Sequence, residues 1–174
     1  MARKRRRKYV VILSGPAASG KSTIAFELWK LLPHEPAHID LDVLKHFVFA
    51  AGYSEHHLNL ARENGVALLK NYLGDGHGVI ISKAFCRYRY VRPFIVAAKK
   101  QKVYVYYVKL TASLEELLRR NKTKQHYIPE WKVEAIYREA EAFKHPQGIE
   151  IDTEKMPVSE IVEHIRQIVL RRSV

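Results

Sequence analysis

The sequence predicts an α/β protein in which a parallel sheet is covered on both faces by helices. Two observations carry that prediction. Short β-branched apolar runs alternate with stretches whose apolar residues recur every three or four positions, the pattern of doubly buried strands and the helices that cross between them. In addition, Gly15-Pro16-Ala17-Ala18-Ser19-Gly20-Lys21-Ser22 reads G-x-x-x-x-G-K-S and stands directly between the first such strand and the first such helix.

That loop sets the chemistry. Glycines let backbone N–H groups turn toward a polyphosphate, and the helix N-terminus behind them adds unpaired donors and partial positive charge. The expected nucleotide-binding residues are therefore Gly15, Ala17, Ala18, Ser19, Gly20, Lys21, Ser22 and Thr23. Lys21 is placed to reach the β and γ phosphates of ATP, and the Ser22 hydroxyl to ligand Mg²⁺. The strand before the loop is Tyr9 to Ser14; the helix after it runs from about Lys21 to Leu32, where Pro33 closes it.

A second short strand, Ala37-His38-Ile39-Asp40, ends in two carboxylates, Asp40 and Asp42. Open parallel sheets bind ligands beyond the carboxyl ends of their strands, so both acids are placed to face the nucleotide, in catalysis or linked to the metal. Asp42 can equally cap a helix over Val43 to Phe49. Gly52 ends that helix and Ser54 caps the next, whose stripe is Leu58, Ala61, Leu68, Leu69 and Tyr72. The neighbours His56 and His57 do not share a helix face as zinc ligands would, which makes them surface histidines.

Gly74 to Gly78 is a turn cluster leading into a third strand, Val79 to Ser82. Nucleotide-binding proteins with this loop often carry an Asp at the end of such a strand, where it holds the Mg²⁺ shell. Here Ser82 stands in that place and Lys83 follows, leaving Asp40 or Asp42 to substitute. Next, Arg87, Arg89 and Arg92 interleave with Tyr88 and Tyr90, a composition suited to gripping phosphate and stacking on bases. The alternative is a solvated helix start with its tyrosines packed on the sheet.

Pro93 fits the first turn of a helix reaching Lys100, and Val103 to Val108 is the most strand-like run in the chain. Ser113-Leu114-Glu115-Glu116 is a capping box that opens a helix through Arg119 and Arg120. The polar, cationic Asn121 to His126 then separates it from a helix starting at Pro129. Such a segment is either a lid that closes over a nucleotide or an ordinary helix connection. A last strand, Ile149 to Asp152, leads to a helix whose stripe is Val158, Ile161, Ile165, Ile168 and Val169.

At 174 residues the chain has room for one domain, here residues 9–174, behind a basic arm of residues 1–8. No apolar run approaches the ~20 residues of a membrane span, and the basic N-terminus leads straight into the first strand without a secretory signal, so a cytoplasmic location is expected. The single Cys86 excludes an internal disulfide and a multi-cysteine zinc site, and by default is an inert thiol. The net charge is +12, and half of it lies in Arg3-Lys4-Arg5-Arg6-Arg7-Lys8. An arm of this kind either holds nucleic acid through counterion release or is a solvated tail.

From Tyr9 onward, the loop, the acidic strand end His38 to Asp42 followed by Lys45, the strand and capped helix from Val105 to Arg120, the cationic segment and the closing Ile151-Asp152-Thr153 resemble the small P-loop kinases. That group includes shikimate and gluconate kinases, adenylylsulfate kinase, chloramphenicol phosphotransferase and polynucleotide 5′-hydroxyl kinases. The resemblance implies a three-layer P-loop NTPase fold with a five-stranded parallel sheet of order 2-3-1-4-5 and a helical lid at about 119–130. It places Lys21 on the β and γ phosphates, Asp42 where a carboxylate takes the acceptor proton, and Arg120 at the base of the lid. Lys124 falls where many relatives have a second arginine, and Lys45 where polynucleotide kinases tend to have one that grips substrate phosphate.

The implied activity is transfer of the γ-phosphoryl group of ATP, with Mg²⁺, to a hydroxyl. Lys21, Asp42, Arg120 and Lys124 are its catalytic candidates, Arg119 and Arg120 join the nucleotide contacts, and Ser22 and Asp40 are the metal candidates. Asp40, Asp42, Lys45, Arg87, Arg89 and Arg92 form the candidate acceptor site. The arm and the arginine cluster favour a nucleic-acid or nucleotide 5′-hydroxyl as acceptor. The compact size also suits a small metabolite or antibiotic, and the missing acid at Ser82 suits a non-catalytic NTP-binding regulator.

Overall fold

Val10, Val11, Ile12 and Leu13 are all fully buried, as the central strand of a sheet covered on both faces must be. The computed structural model describes residues 8–48, 54–123 and 127–171. Along the chain run β1 (Tyr9–Ser14), α1 (Lys21–Leu31), β2 (Ala37–Asp40), α2 (Leu41–Lys45), α3 (Glu55–Asp75) and β3 (Val79–Ser82). They are followed by α4 (Tyr88–Lys100), β4 (Tyr104–Thr111), α5 (Leu114–Lys122), α6 (Glu130–Ala142), β5 (Ile149–Asp152) and α7 (Val158–Arg171).

The sheet is all parallel, in the order β2-β3-β1-β4-β5 that the family resemblance implies. Its register fixes the site. Leu13 lies opposite Ser82 on one side and Val108 on the other, and Asp40 lies opposite Ser82 in turn. The end of β1, the acid of β2 and the end of β3 therefore share one carboxyl edge.

Period-two alternation sorts the strand residues between two cores. Val10, Ile12, Ile39, Ile81 and Tyr107 pack with Leu69 and Leu73 of α3 and Phe94 and Ala98 of α4. Val11, Leu13, Ile80, Val108 and Leu110 pack with Ile24 and Leu28 of α1 and Ile161 and Ile165 of α7. A third, smaller cluster of Ala18, Ala112, Leu117 and Val133 joins the Gly15–Ser22 loop to α5 and α6.

Several expected boundaries shift, each for a local reason. The cap of α2 is Asp40, whose Oδ1 accepts from the Asp42 N–H at 2.8 Å, so Asp42 lies in the first turn instead of capping it. That helix stops at Lys45, short of Phe49; Phe47 is 76% exposed and offers nothing to extend the packing. Gly52 lies outside the described residues. Gly74 and Asp75 are helical, because the left-handed C-cap of α3 is Gly76 at φ 97°. Pro93 is the sixth residue of α4, whose extended N-cap is Arg87, and not part of its first turn. Finally, Ser113 Oγ accepts from the Glu116 N–H at 3.2 Å, but the Ser113 N–H donates to Glu154, which leaves Glu116 to bind arginines.

Candidate active site

The loop after β1 is shaped by its backbone. Gly15 has φ 147°, and a Cβ there would press on the Leu110 carbonyl and lie 2.7 Å from Ser19 Oγ, so only glycine fits. Ala18 and Gly20 are also left-handed, at φ 64° and 88°, and Gly20 is the N-cap of α1. Successive reversals of this kind turn N–H groups inward into a concave anion cradle. Lys21 Nζ folds over the loop, donating to the carbonyls of Gly15 at 3.0 Å and Pro16 at 2.6 Å. Ser22 and Thr23 are exposed on the first turn of α1.

Beside the loop, β3 ends in a buried Ser82 whose Oγ lies 2.9 Å from His38 Nε2. Desolvation lowers the pKa of that imidazole against the opposing pull of Asp40. One residue on, the Lys83 N–H donates to the Leu13 carbonyl at 3.1 Å, and the Lys83 ammonium donates to Asp42 Oδ1. Burial works to raise the pKa of the Asp42 carboxyl, but the charge and hydrogen bond of Lys83, with Lys21 and Lys45 behind it, hold it below its ordinary value.

These groups line a single cavity of about 760 Å³. Its floor is Ala17, Ala18, Lys21 and Ser22 of the loop; one wall is Asp40, Asp42, Val43, Lys45 and His46, and another is Ser82, Lys83 and Ala84. Tyr127, Ile128, Lys132 and Ile136 close it from the α6 side. Asp40 and Asp42 thus border one cavity with the loop, as the strand-end reasoning anticipates, and so does Lys45, which the family resemblance puts on the acceptor side. His46, Lys83, Tyr127 and Lys132 line the cavity without having been anticipated; for Lys83 the signal was its place next to the vacant strand-end acid, and for Lys132 none exists beyond its helix.

The arginines of α4 stand elsewhere. Arg87, Arg89 and Arg92 are exposed and do not line this cavity. Arg89 donates to the Tyr90 hydroxyl at 2.8 Å, and Tyr90 lies between the guanidiniums of Arg62, 3.8 Å from its ring centroid, and Arg89, at 4.8 Å. Cys86, next to them, is an unreactive thiol: burial, with Glu139 adding, pushes its pKa up to about 11.

Arg119 and Arg120 also lie outside the cavity, and both grip Glu116. Arg119 donates to it twice, at 2.6 and 2.7 Å, and Arg120 once, at 2.6 Å, while the rest of the Arg120 fork holds Thr153 at 2.8 and 3.0 Å. These bonds, first that from Arg119, pull the Glu116 carboxyl down to about 2. Lys124 lies outside the described residues. The fully buried Asn121 amide donates to the Ile128 carbonyl at 2.6 Å and accepts from its N–H at 3.2 Å.

The site residues fit a nucleotide with Mg²⁺. The glycine cradle admits no side chain at Gly15, and the exposed Ser22 hydroxyl and the Asp40 carboxylate border one cavity with hard oxygen donors. Among the described residues no group of three or more His, Cys, Asp or Glu could hold a metal alone. No helix among the described residues is long and apolar enough to cross a membrane.

Comparison with known proteins places the chain. No curated protein matches it in sequence. In fold it is similar to a putative kinase from Chloroflexus aurantiacus, with a TM-score of 0.77 and 18% identity over 97% of this chain and 99% of that one. It is also similar to the APS kinase of Mycobacterium tuberculosis in complex with AMPPNP and APS, at 0.72 and 16% over 94% and 98%. A third likeness is to a chain of the Pnkp1/Rnl/Hen1 RNA repair complex, at 0.67 and 17% over 80% of this chain and 46% of that one. At these identities the likeness is one of fold. The model of the AAA domain family matches residues 10–146, a span from β1 through α6 that includes the loop, both strand-end acids and Lys83; the chain belongs to this family, with a P-loop kinase-like fold.

Proposed function

We propose that this protein is an ATP-dependent phosphotransferase that moves the γ-phosphoryl group of ATP to a hydroxyl of a small molecule bound in the 760 Å³ cavity. One observation carries the reading: Asp42 borders the same cavity as Lys21 and Ser22 of the phosphate loop. A donor cradle and a carboxylate facing one cavity are what in-line transfer to a hydroxyl requires. The size lies within the 300–1,000 Å³ range typical of small-molecule pockets.

In this scheme the loop N–H groups and Lys21 hold the β and γ phosphates. Ser22 and, through water, Asp40 would hold Mg²⁺, which supplies charge neutralisation on the phosphates when bound. Asp42 orients the acceptor hydroxyl and takes its proton as the oxygen attacks the γ phosphorus and the bond to the ADP oxygen breaks. Arg119, Arg120 and Lys124 belong to the nucleotide side, where their charge would offset that of the phosphates. ATP and Mg²⁺ are the cofactors of this reading.

A second reading has a nucleic-acid 5′-hydroxyl as acceptor. The basic residues 3–8, the exposed Arg87, Arg89 and Arg92, and the fold shared with a chain of an RNA repair complex favour it. The position of Asp42 in a cavity that those arginines do not line favours the small acceptor.

Radiolabelled ATP offered with oligonucleotides, nucleosides and small alcohols decides between them. Label on a small alcohol is the expected result. Label confined to oligonucleotide 5′ ends would replace it with the second reading, and turnover of ATP with no labelled acceptor would make the protein an NTP-binding regulator. Lys21→Ala should keep the fold and lose transfer by about 100- to 1,000-fold, the cost of removing one donor to developing charge.

A further inference from the structure

Asp42 is poorly held by its own element. It sits in the first turn of α2, a helix of five residues, and its side chain is 53% exposed. A carboxylate so placed has several rotamers open to it, and only one aims at an acceptor beside the loop. Its backbone is set by the Asp40 cap, but that bond fixes the N–H and not the carboxylate.

Lys83 supplies what α2 lacks. Its root is anchored to β1: its N–H donates to the carbonyl of Leu13, two residues before the phosphate loop, while its carbonyl accepts locally from Phe85 N–H at 3.0 Å. Phe85 in turn is 1% exposed, packs edge-on against Phe94 with ring centroids 5.8 Å apart, and donates its N–H to Ser14 Oγ at 3.2 Å. From that base the ammonium, with a side chain only 18% exposed, reaches across to Asp42 Oδ1. The ion pair thus ties Asp42, on the short α2, to the strand that launches the phosphate loop.

We infer that Lys83 is the positioning residue for Asp42, holding its carboxylate in register with the phosphate loop through an ion pair anchored in β1 and β3. The inference rests on the phosphotransfer reading. It also gives the residue following Ser82 a role in place of a strand-end acid: here the strand end carries a cation that fixes the carboxylate of the neighbouring strand. In this reading the other Asp42 oxygen, Oδ2, is the one that takes the acceptor proton.

The test uses the full chain with the acceptor found in the transfer screen; a screen that yields none overturns the phosphotransfer reading and the inference with it. Lys83→Met should lower kcat about 100-fold, the cost of a small misplacement, while ATP affinity stays within about twofold. Lys83→Arg should restore much of that loss. In an Asp42→Asn background Lys83→Met should cost nothing further, because a positioning residue acts only through its partner. An unchanged kcat in Lys83→Met, a loss that adds fully to that of Asp42→Asn, or a loss carried by ATP affinity would each overturn the inference. Should Lys83→Met fail to fold, Lys83→Arg against Lys83→Gln carries the same comparison. If Asp42→Asn keeps full activity, the phosphotransfer reading falls and takes the inference with it; if Asp42→Asn is crippled and Lys83→Met is not, only the inference falls.

Discussion

The donor and acceptor sides of the cavity are built in opposite ways. The donor side is a stretch of contiguous backbone, in which Gly15, Ala18 and Gly20 take left-handed conformations and Lys21 folds back on the carbonyls it has just followed. The acceptor side is assembled from side chains on separate elements: Asp42 and Lys45 from α2, Lys83 after β3, and Tyr127 and Lys132 from the α6 side. A backbone cradle works by local geometry and tolerates little change. A wall of side chains depends on long-range placement and can be altered residue by residue, which is how one fold serves different acceptors.

The sharpest way to test that contrast is Asp42→Asn. It is expected to lower kcat by about 100- to 10,000-fold, the range for losing a general base, with nucleotide binding intact. Calorimetry with a non-hydrolysable ATP analogue, run beside the activity assay, separates the two sides. A parallel loss of nucleotide affinity would mean that the walls are not independent.

Phe94→Ala probes how far the acceptor wall depends on the core. Phe94 is fully buried under Phe85, which braces the root of Lys83, and a Cβ on Gly65 of α3 would lie 3.2 Å from its ring. The substitution should cost about 3–5 kcal/mol of stability in denaturant unfolding. If the two sides are separately supported, nucleotide affinity at low temperature changes less than transfer does.

The same contrast explains what could be read in advance. The loop, the order of elements and the acids at the end of β2 are local patterns, so Lys21, Ser22, Asp40 and Asp42 were identifiable from a few neighbours each. Lys132 is not, since nothing near it in the chain records that its helix returns over the phosphate loop, and the place of Lys83 after Ser82 marks the position but not its pairing with Asp42. Arg87, Arg89 and Arg92 show the converse. Their composition suits a phosphate ligand, but part of it serves a local stack, with Tyr90 held between Arg62 and Arg89. The capping box at Ser113 was half legible: the Ser113 cap forms, while its reciprocal acceptor comes from Glu154, 41 residues away.

Asn121→Ala loosens only the chain leading into α6. Both polar ends of the Asn121 amide bond to the Ile128 backbone, so the variant leaves two main-chain groups without that partner and should cost about 1–3 kcal/mol. Faster hydrogen exchange confined to Ile128 and its neighbours is the expected readout. Exchange spreading to the phosphate loop would show that the small cluster of Ala18, Ala112, Leu117 and Val133 transmits the change to the donor side.

The smallest effect belongs to Glu116, which holds Arg119 and Arg120, the arginines proposed for the nucleotide side, without lining the cavity. Its folded pKa, about 2, lies below the ordinary glutamate value, so the stabilisation from its arginine bonds is fully present above pH ~4.5 and is lost as pH falls through the folded value near 2. From pH 5 to 9 Glu116 stays ionised and contributes no inflection to nucleotide affinity. Glu116→Gln removes the charge and keeps at most two of the three arginine bonds, because an amide nitrogen cannot accept. Since Thr153 continues to hold Arg120 at 2.8 and 3.0 Å, affinity for the ATP analogue should change by no more than about threefold, a shift of well under 1 kcal/mol. Carboxyl NMR titration checks the first expectation and calorimetry the second. A resonance titrating near pH 4 would mean that the arginines are not bound to Glu116 in solution, and the nucleotide side would then prove as dependent on mobile side chains as the acceptor side.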